Sequence, residues 1–311
     1  MVTTLGGDGT ILHASSLFSS SLHVPPMLSF SMGTLGFLGE WKFAEYKRAF
    51  REVYMSGGGA GSHLLKDQKH PHAQVSNDNK EDMTSWSNVR GKSMGSTRGS
   101  KILLRSRLKV GIYDSFGTPI KSGLKNCPDR DTYAMNEVVI HRGREAHLVI
   151  VEVFVGGRFL TEAVADGMII STPTGSTAYN LSSGGSIIHP LVSSLLLTPI
   201  CPRSLSFRPL VLPANTPIVL RLSEKNRSRE LEVSIDGRRK NFAAGLGLKR
   251  FVGAEVGMEV RVEGEELIKG KEWCGGVPCV VRGAKLGTDD DDGWVGGLNG
   301  LLKFNYPFGE E

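Results

Sequence analysis

Cysteine is scarce in this chain and forms no pattern. Of 311 residues only Cys127, Cys201, Cys274 and Cys279 are cysteines. No two of them make a Cys-x-x-Cys pair, and no histidine stands at zinc-finger spacing from them. A zinc module is therefore excluded, and reduced, partly buried thiols in a cytoplasmic protein are expected. Long apolar runs are missing as well. The richest short stretch, Leu191 to Leu197, falls far below the roughly 20 residues that a membrane helix needs. No secretory leader is visible at the start. Charge of one sign is nowhere concentrated: the net charge of +5 is a mild excess without an arginine-rich arm. A nucleic-acid binder would carry a basic stripe. A pocket for an anionic ligand accounts for the same excess. No nucleic-acid partner, membrane or protein-built metal site is expected.

At this length two domains are the expectation. Residues 1–56 alternate between strand and helix. A glycine-rich loop follows Val2–Leu5, Ile11 to Phe18 has helical character, Met27 to Ser31 reads as a short buried strand, and Gly33 to Gly39 is a second glycine-rich turn. The apolar positions Phe43, Tyr46, Phe50, Val53 and Tyr54 then fall at helical spacing, ended by Gly57-Gly58-Gly59. Residues 57–100 differ in kind. Glycine and serine fill 14 of these 44 positions, against seven of Val, Leu, Met or Trp. Such a segment cannot bury enough apolar area to offset its ordering entropy, and a flexible insertion is expected there, its His70 and His72 included. From Lys101 strands dominate: 102–113, 133–140, 147–155, 158–164, 218–222, 231–235 and 255–262. Hairpin turns are signalled at Gly156-Gly157 and Asp236-Gly237. The expected architecture is an α/β N-terminal domain plus a mainly β, sandwich-like domain of two layers.

Three motifs carry chemistry. In Gly6-Gly7-Asp8-Gly9-Thr10, glycines let backbone amides approach phosphate oxygens ahead of a helix N-terminus. An acid in such a loop repels phosphate unless it has a metal to bind or a proton to take, so Asp8 is a candidate base. A tight turn with Asp8 capping the helix is the plainer alternative. Asn136-Glu137, at a strand start, can read a ribose diol, with Glu137 accepting two hydroxyl protons; a surface pair fits equally. The third motif runs from Asp166 through Thr172-Pro173-Thr174-Gly175-Ser176-Thr177-Ala178-Tyr179. A strand there enters a turn that opens a helix, with hydroxyls set as caps or ligand contacts and Tyr179 offering a flat face.

Together the three motifs resemble the NAD kinase family. GGDGT alone is shared with diacylglycerol and sphingosine kinases and, more distantly, with phosphofructokinases. NEVVIHRG, DGMIISTPTGSTAYNLSSGGSIIHP and ICPRSLSFRPLVLPA, in that order, are specific to NAD kinases, and the ending DGWVGGLNGLLKFNYPFGEE is similar to eukaryotic, particularly fungal, members. The resemblance covers residues 1–56 and about 101–311. It implies a kinase that uses ATP and Mg²⁺ to phosphorylate the 2′-hydroxyl of NAD, with NADH as a possible second acceptor, in a homo-oligomer. Asp8 matches the catalytic aspartate, with Gly7, Gly9 and Thr10 around it. Phe37 matches a residue lining the nucleotide pocket, and Asn136 with Glu137 the pair holding the adenosine ribose. Thr174, Thr177, Ala178 and Tyr179 match the turn that recognises adenine and the substrate's other half. Asp166 matches an acid that contacts NAD across a subunit interface. The implied division is a Rossmann-like α/β domain over 1–56, the insertion at 57–100, a β-rich NAD-binding domain over 101–275, and a segment at 276–311 returning to the first domain. Family members also carry a longer α/β segment before the glycine loop. An incomplete, N-terminally truncated sheet that folds poorly alone is therefore expected. The rival readings are a lipid kinase sharing GGDGT and an inactive nucleotide-binding pseudo-kinase.

Overall fold

The computed structural model describes residues 1–33, 36–56, 100–120, 132–143, 146–227, 231–239, 257–269 and 272–282, with Trp294, Leu298 and Leu302. The expected insertion, apart from Ser100, lies outside these residues, as do Cys127 and most of the segment after Arg282.

The first unit is a small mixed sheet. Strand β1 (Val2–Leu5) runs parallel to β2 (Met27–Ser31), which in turn runs parallel to β3 (Trp41–Lys42). Far along the chain, after the short hairpin of β17 (Ile268–Lys269) and β18 (Glu272–Trp273), β19 (Val277–Val281) joins β2 at the Cys279–Met27 pair and lies antiparallel to β4 (Lys101–Arg105). Every residue of β2 and β19 is buried, because the sheet is covered on both faces. On one face Ile11 and Ala14 of α1 (Asp8–Ser16) pack on Met27, Val277 and Cys279. On the other, Ala49 of α2 (Tyr46–Ser56) packs on Leu28, Phe30, Trp41 and Val280.

The helical spacing of Phe43, Tyr46, Phe50 and Tyr54 is real, yet these four aromatics stay 39–63% exposed. Ala49 and Val53 supply the packed face instead. The rings of Phe43 and Phe50 reach sideways onto Phe30.

The second unit is a β-sandwich. One layer has the order β12 (Leu210–Pro213), β11 (Ser194–Ile200), β10 (Gly167–Ser171), β7 (Glu137–His141), β14 (Glu232–Ile235), β15 (Arg238–Arg239). The facing layer runs β6 (Thr132–Ala134), β5 (Leu108–Tyr113), β16 (Glu259–Gly264), β13 (Ile218–Leu222), β8 (Val149–Val155), β9 (Arg158–Ala165). Alternation dictates which side chains meet between the layers. Val149, Val151 and Val153 of β8, Ile218, Leu220 and Leu222 of β13, and Val260 and Val262 of β16 face Val138, Ile140, Met168 and Ile170. Each such side chain stabilises the fold by roughly 1.5–3 kcal/mol relative to exposure. Among the described residues the α/β sheet and the two-layered sandwich are both present.

Two breaks were not anticipated. The expected strand 102–113 divides into β4 and β5, which belong to different units, so the sandwich begins at Leu108 and not at residue 101. The reason is Arg107. Its guanidinium pairs with Glu265 at 2.5 Å, both side chains buried, and donates to the carbonyls of Phe18 and Leu22, which fixes the chain at the junction. Likewise 133–140 divides into β6 and β7 in opposite layers, and the crossing point is Met135-Asn136. The Asn136-Glu137 pair therefore sits where the chain changes sheets.

Candidate functional site

The glycine loop connects β1 to α1. Gly6 turns it with φ of +150°, and a Cβ there would lie 2.3 Å from Thr10 Oγ1. Gly7, the N-cap, and Gly9 are different: a Cβ on either meets nothing within 4 Å. Both are on or near the surface beside the exposed Thr10, so packing within the protein does not require glycine at these two positions. The first-turn N–H groups of a helix lack intrahelical acceptors and face outward as an anion site.

Asp8 does not cap its own helix. Its Oδ2 accepts the Phe37 N–H at 2.9 Å and its Oδ1 the Leu38 N–H at 3.0 Å. The second glycine-rich turn thus clamps the carboxylate of the first. Gly36 makes this possible, since a Cβ there would stand 2.2 Å from Asp8 Oδ1. The clamped carboxylate remains half-buried, with one lone pair on each oxygen still available.

Asn136 and Glu137 are 5% and 7% exposed, which removes the surface-pair alternative. Sequence reasoning missed their support, Asp236, although it marked the Asp-Gly turn. At φ 48°, Asp236 accepts the N–H groups of Met135, Asn136 and Glu137 at 2.8, 2.7 and 3.2 Å. Asn136 Oδ1 and Glu137 Oε2 are buried without a hydrogen-bond partner among the described residues. Burial first, and the Asp236 charge second, push the Glu137 carboxyl from 4.5 up to about 8. Glu137 therefore holds its proton at neutral pH, and can donate one hydrogen bond as well as accept.

The turn after β10 leans on this pair. Thr172 Oγ1 donates to Met135 O at 2.7 Å and accepts the Gly175 N–H at 3.0 Å. Gly175 comes so near that a Cβ would lie 2.3 Å from Asn136 O. Thr174–Thr177 form one tight turn, Ala178 is an irregular link, and α3 (Tyr179–Ser182) follows. Thr177 Oγ1 donates to Thr174 O at 3.3 Å, and the Tyr179 ring is 40% exposed at the mouth. Asn180, fully buried inside the motif but not singled out from sequence, holds the loop. It donates to the carbonyls of Ser176 and Ser186 and accepts from Thr198 Oγ1 at 2.6 Å.

The two halves meet at Arg105, another residue that sequence reasoning passed over. It ends an apolar strand and is 2% exposed. Its Nη2 donates to Phe37 O at 3.5 Å and its Nη1 to Thr174 Oγ1 at 3.4 Å. Asp8, Phe37, Arg105, Thr174, Asn136 and Glu137 are thus linked by contact into one seam between the sheet and the sandwich. Arg238 crosses the same seam to the His13 ring of α1. Asp166 is not part of it. It pairs with Arg142 at 2.9 Å, five residues up the β7–β10 ladder from Ser171 and Glu137, about 16 Å at ~3.3 Å per residue. Among the described residues no three His, Cys, Asp or Glu side chains converge as a metal cage.

Comparison with known proteins places this geometry. The family model of the ATP-NAD kinase N-terminal domain matches residues 1–58, and that of the C-terminal domain matches residues 135–244. A mitochondrial NADH kinase of Schizosaccharomyces pombe is 40% identical over 99% of this chain and 59% of its own length. One of Saccharomyces cerevisiae, also mitochondrial, is 36% identical over 99% of this chain and 63% of its own. The crystal structure of yeast NADH kinase complexed with NADH superposes with a TM-score of 0.69 at 34% identity, over 98% of this chain and 67% of that one. The chain thus spans about three-fifths of the length of the two curated relatives. The expectation of a cytoplasmic protein is overturned, since both of these relatives are mitochondrial enzymes.

Proposed function

The chain belongs to the NAD kinase family, and from that premise we propose that it transfers the γ-phosphoryl group of ATP to the 2′-hydroxyl of the adenosine ribose of NAD, making NADP. NADH is a second acceptor, a reading favoured by the two relatives that are NADH kinases. The observation that carries the proposal is the seam itself: a glycine loop with a clamped aspartate is tied through Phe37 and Arg105 to the turn that rests on a buried Asn-Glu pair.

Each residue has a part in this reading. The amides at Gly7 and Gly9 approach phosphate beside Thr10, whose own N–H donates to Gly7 O at 2.9 Å, which explains why glycine stands where the fold leaves room for a side chain. Asn136 and protonated Glu137 hold the ribose hydroxyls. A hydroxyl needs a donor and an acceptor, and a neutral carboxyl offers both. The Tyr179 ring, with Thr174, Thr177 and Ala178, forms the face on which the adenine lies. Phe37 lines the pocket between the halves. Asp8, held in one orientation by two amides, takes the proton of the attacking 2′-hydroxyl. Positioning supplies most of the acceleration in phosphoryl transfer, and a rigid clamp serves that end.

Mg²⁺ bound to the triphosphate neutralises charge on the transferring group. Mg²⁺ in nucleotide sites takes one or two carboxylates and keeps waters and phosphates as its other ligands, and the Asp8 carboxylate is the group here that would lie near it. Asp166, which lies outside the seam of its own chain, would face the pocket of another copy in a homo-oligomer. A lipid kinase would have no use for the Thr174–Tyr179 turn. Steady-state formation of NADP from ATP with NAD or NADH tests the proposal. ATP turnover without NADP, or none at all, would leave the inactive nucleotide binder as the better reading.

A further inference from the structure

Among the described residues Arg105 is a buried cation with no carboxylate partner. It is 2% exposed, its Nε finds no partner among them, and its contacts with oxygen are long and go to neutral groups. Its other described neighbour is the thiol of Cys279. Glu40, which acts on the same thiol, gives its carboxylate to the Arg282 N–H instead. Arg107, two residues on, has everything Arg105 lacks: a carboxylate at 2.5 Å and two carbonyls. A guanidinium kept dry without a counter-charge is costly to a fold. Replacing it by an apolar side chain of similar length should therefore be neutral or stabilising for the ligand-free fold, so its presence points to a charge that arrives from outside.

We propose that Arg105 is a positioning residue for phosphoryl transfer. It ties the Phe37 turn, and through it Asp8, to the Thr174 turn, and its charge is answered by the phosphates of the bound nucleotide above it. The inference rests on the kinase reading. The contacts explain the tie: Phe37 turns its N–H to Asp8 and its carbonyl to Arg105, so one peptide transmits the position of the guanidinium to the carboxylate. Low dielectric explains the charge, since a buried cation acts on a nearby polyanion with little screening.

The test uses the whole chain with Arg105→Met and Arg105→Lys. Melting is followed without ligand, with inorganic tripolyphosphate and with adenosine, and kinetics are measured alongside. For Arg105→Met the expected melting temperature is within about 2 °C of the parent or above it. Its upward shift with tripolyphosphate should fall by at least half while any shift with adenosine is kept. Its kcat should drop roughly tenfold to a hundredfold, with KM for NAD changed less than about threefold. Arg105→Lys keeps the charge but not the fork, so it should retain the tripolyphosphate shift and lose kcat. An Arg105→Met protein that melts clearly lower, or fails to fold, while Arg105→Lys behaves as the parent would reduce Arg105 to a structural residue. Unchanged tripolyphosphate shift and kcat in Arg105→Met would overturn the proposal equally. If the parent makes no NADP, the kinase reading fails, and the melting arms still decide whether Arg105 answers phosphate.

Discussion

Replacing Glu137 by Gln exposes the most specific electrostatic claim made for the site. The carboxyl is buried beside Asp236, and its pKa stands at about 8 against an ordinary 4.5. Between those values the unfolded chain has given up this proton and the folded chain still holds it. Stability attributable to this group therefore falls as pH rises, by up to ~1.4 kcal/mol per pH unit across the window, and is flat again above pH ~8. Carried over the whole window, the loss is at most about 5 kcal/mol, discounted by whatever relaxation or water entry the charged form induces. Glutamine is a neutral isostere that cannot ionise and is not repelled by Asp236. Urea unfolding of parent and Glu137→Gln between pH 5 and pH 9 should show the parent losing stability relative to the variant as pH rises. Binding has a matching signature. Near pH 7 the variant should hold NAD within about threefold of the parent, because amide and protonated acid both donate and accept. Above pH 8 the parent's KM should rise and the variant's should not. A variant more than about thirtyfold weaker at pH 7, or parallel stability profiles, would mean that Glu137 works as a carboxylate and that the argument from burial is wrong.

Other expectations follow from contacts already described. Asp8→Asn should lower kcat by ~10²–10⁴ while calorimetry still detects NAD binding, since the amide cannot take the proton. Gly36→Ala should produce a milder loss of the same kind by pressing its methyl on Asp8 Oδ1, whereas Gly9→Ala, with open space around it, should leave the melting temperature unchanged and still reduce turnover. Glu265→Ala leaves the Arg107 guanidinium buried and unpaired, so denaturant unfolding should register a loss of about 3–5 kcal/mol. A value under 1 kcal/mol would mean that water reaches the junction.

Much of the site is legible in the sequence because its residues are local: GGDGT, Asn136-Glu137 and the Thr174–Tyr179 turn are each read within a few positions. What sequence does not reveal is what holds them. Asp236 serves Asn136 from 100 residues away, Arg105 reaches Phe37 across 68 and Thr174 across 69, and neither leaves a periodic trace. The strand breaks at Arg107 and Asn136 were hidden for a related reason. Arg105-Ser106-Arg107 and Asn136-Glu137 are short polar interruptions with strand-forming residues on both sides, and only the partner sheets reveal that the chain has changed sheets. The exposed aromatics of α2 show the converse, a helical period that is correct in spacing while Ala49 and Val53 supply the packed face.

The proposed reaction moves phosphate from ATP to one particular hydroxyl of NAD. Its most direct test is to supply γ-labelled ATP and Mg²⁺ with NAD, NADH or 2′-deoxy-NAD as acceptor and to locate the label by phosphorus NMR. The account predicts label as a 2′-phosphomonoester on NAD and NADH, none on the 2′-deoxy compound, and loss of all transfer in Asp8→Asn. Label at the 3′-hydroxyl, transfer to 2′-deoxy-NAD at a comparable rate, or release of inorganic phosphate alone would contradict it.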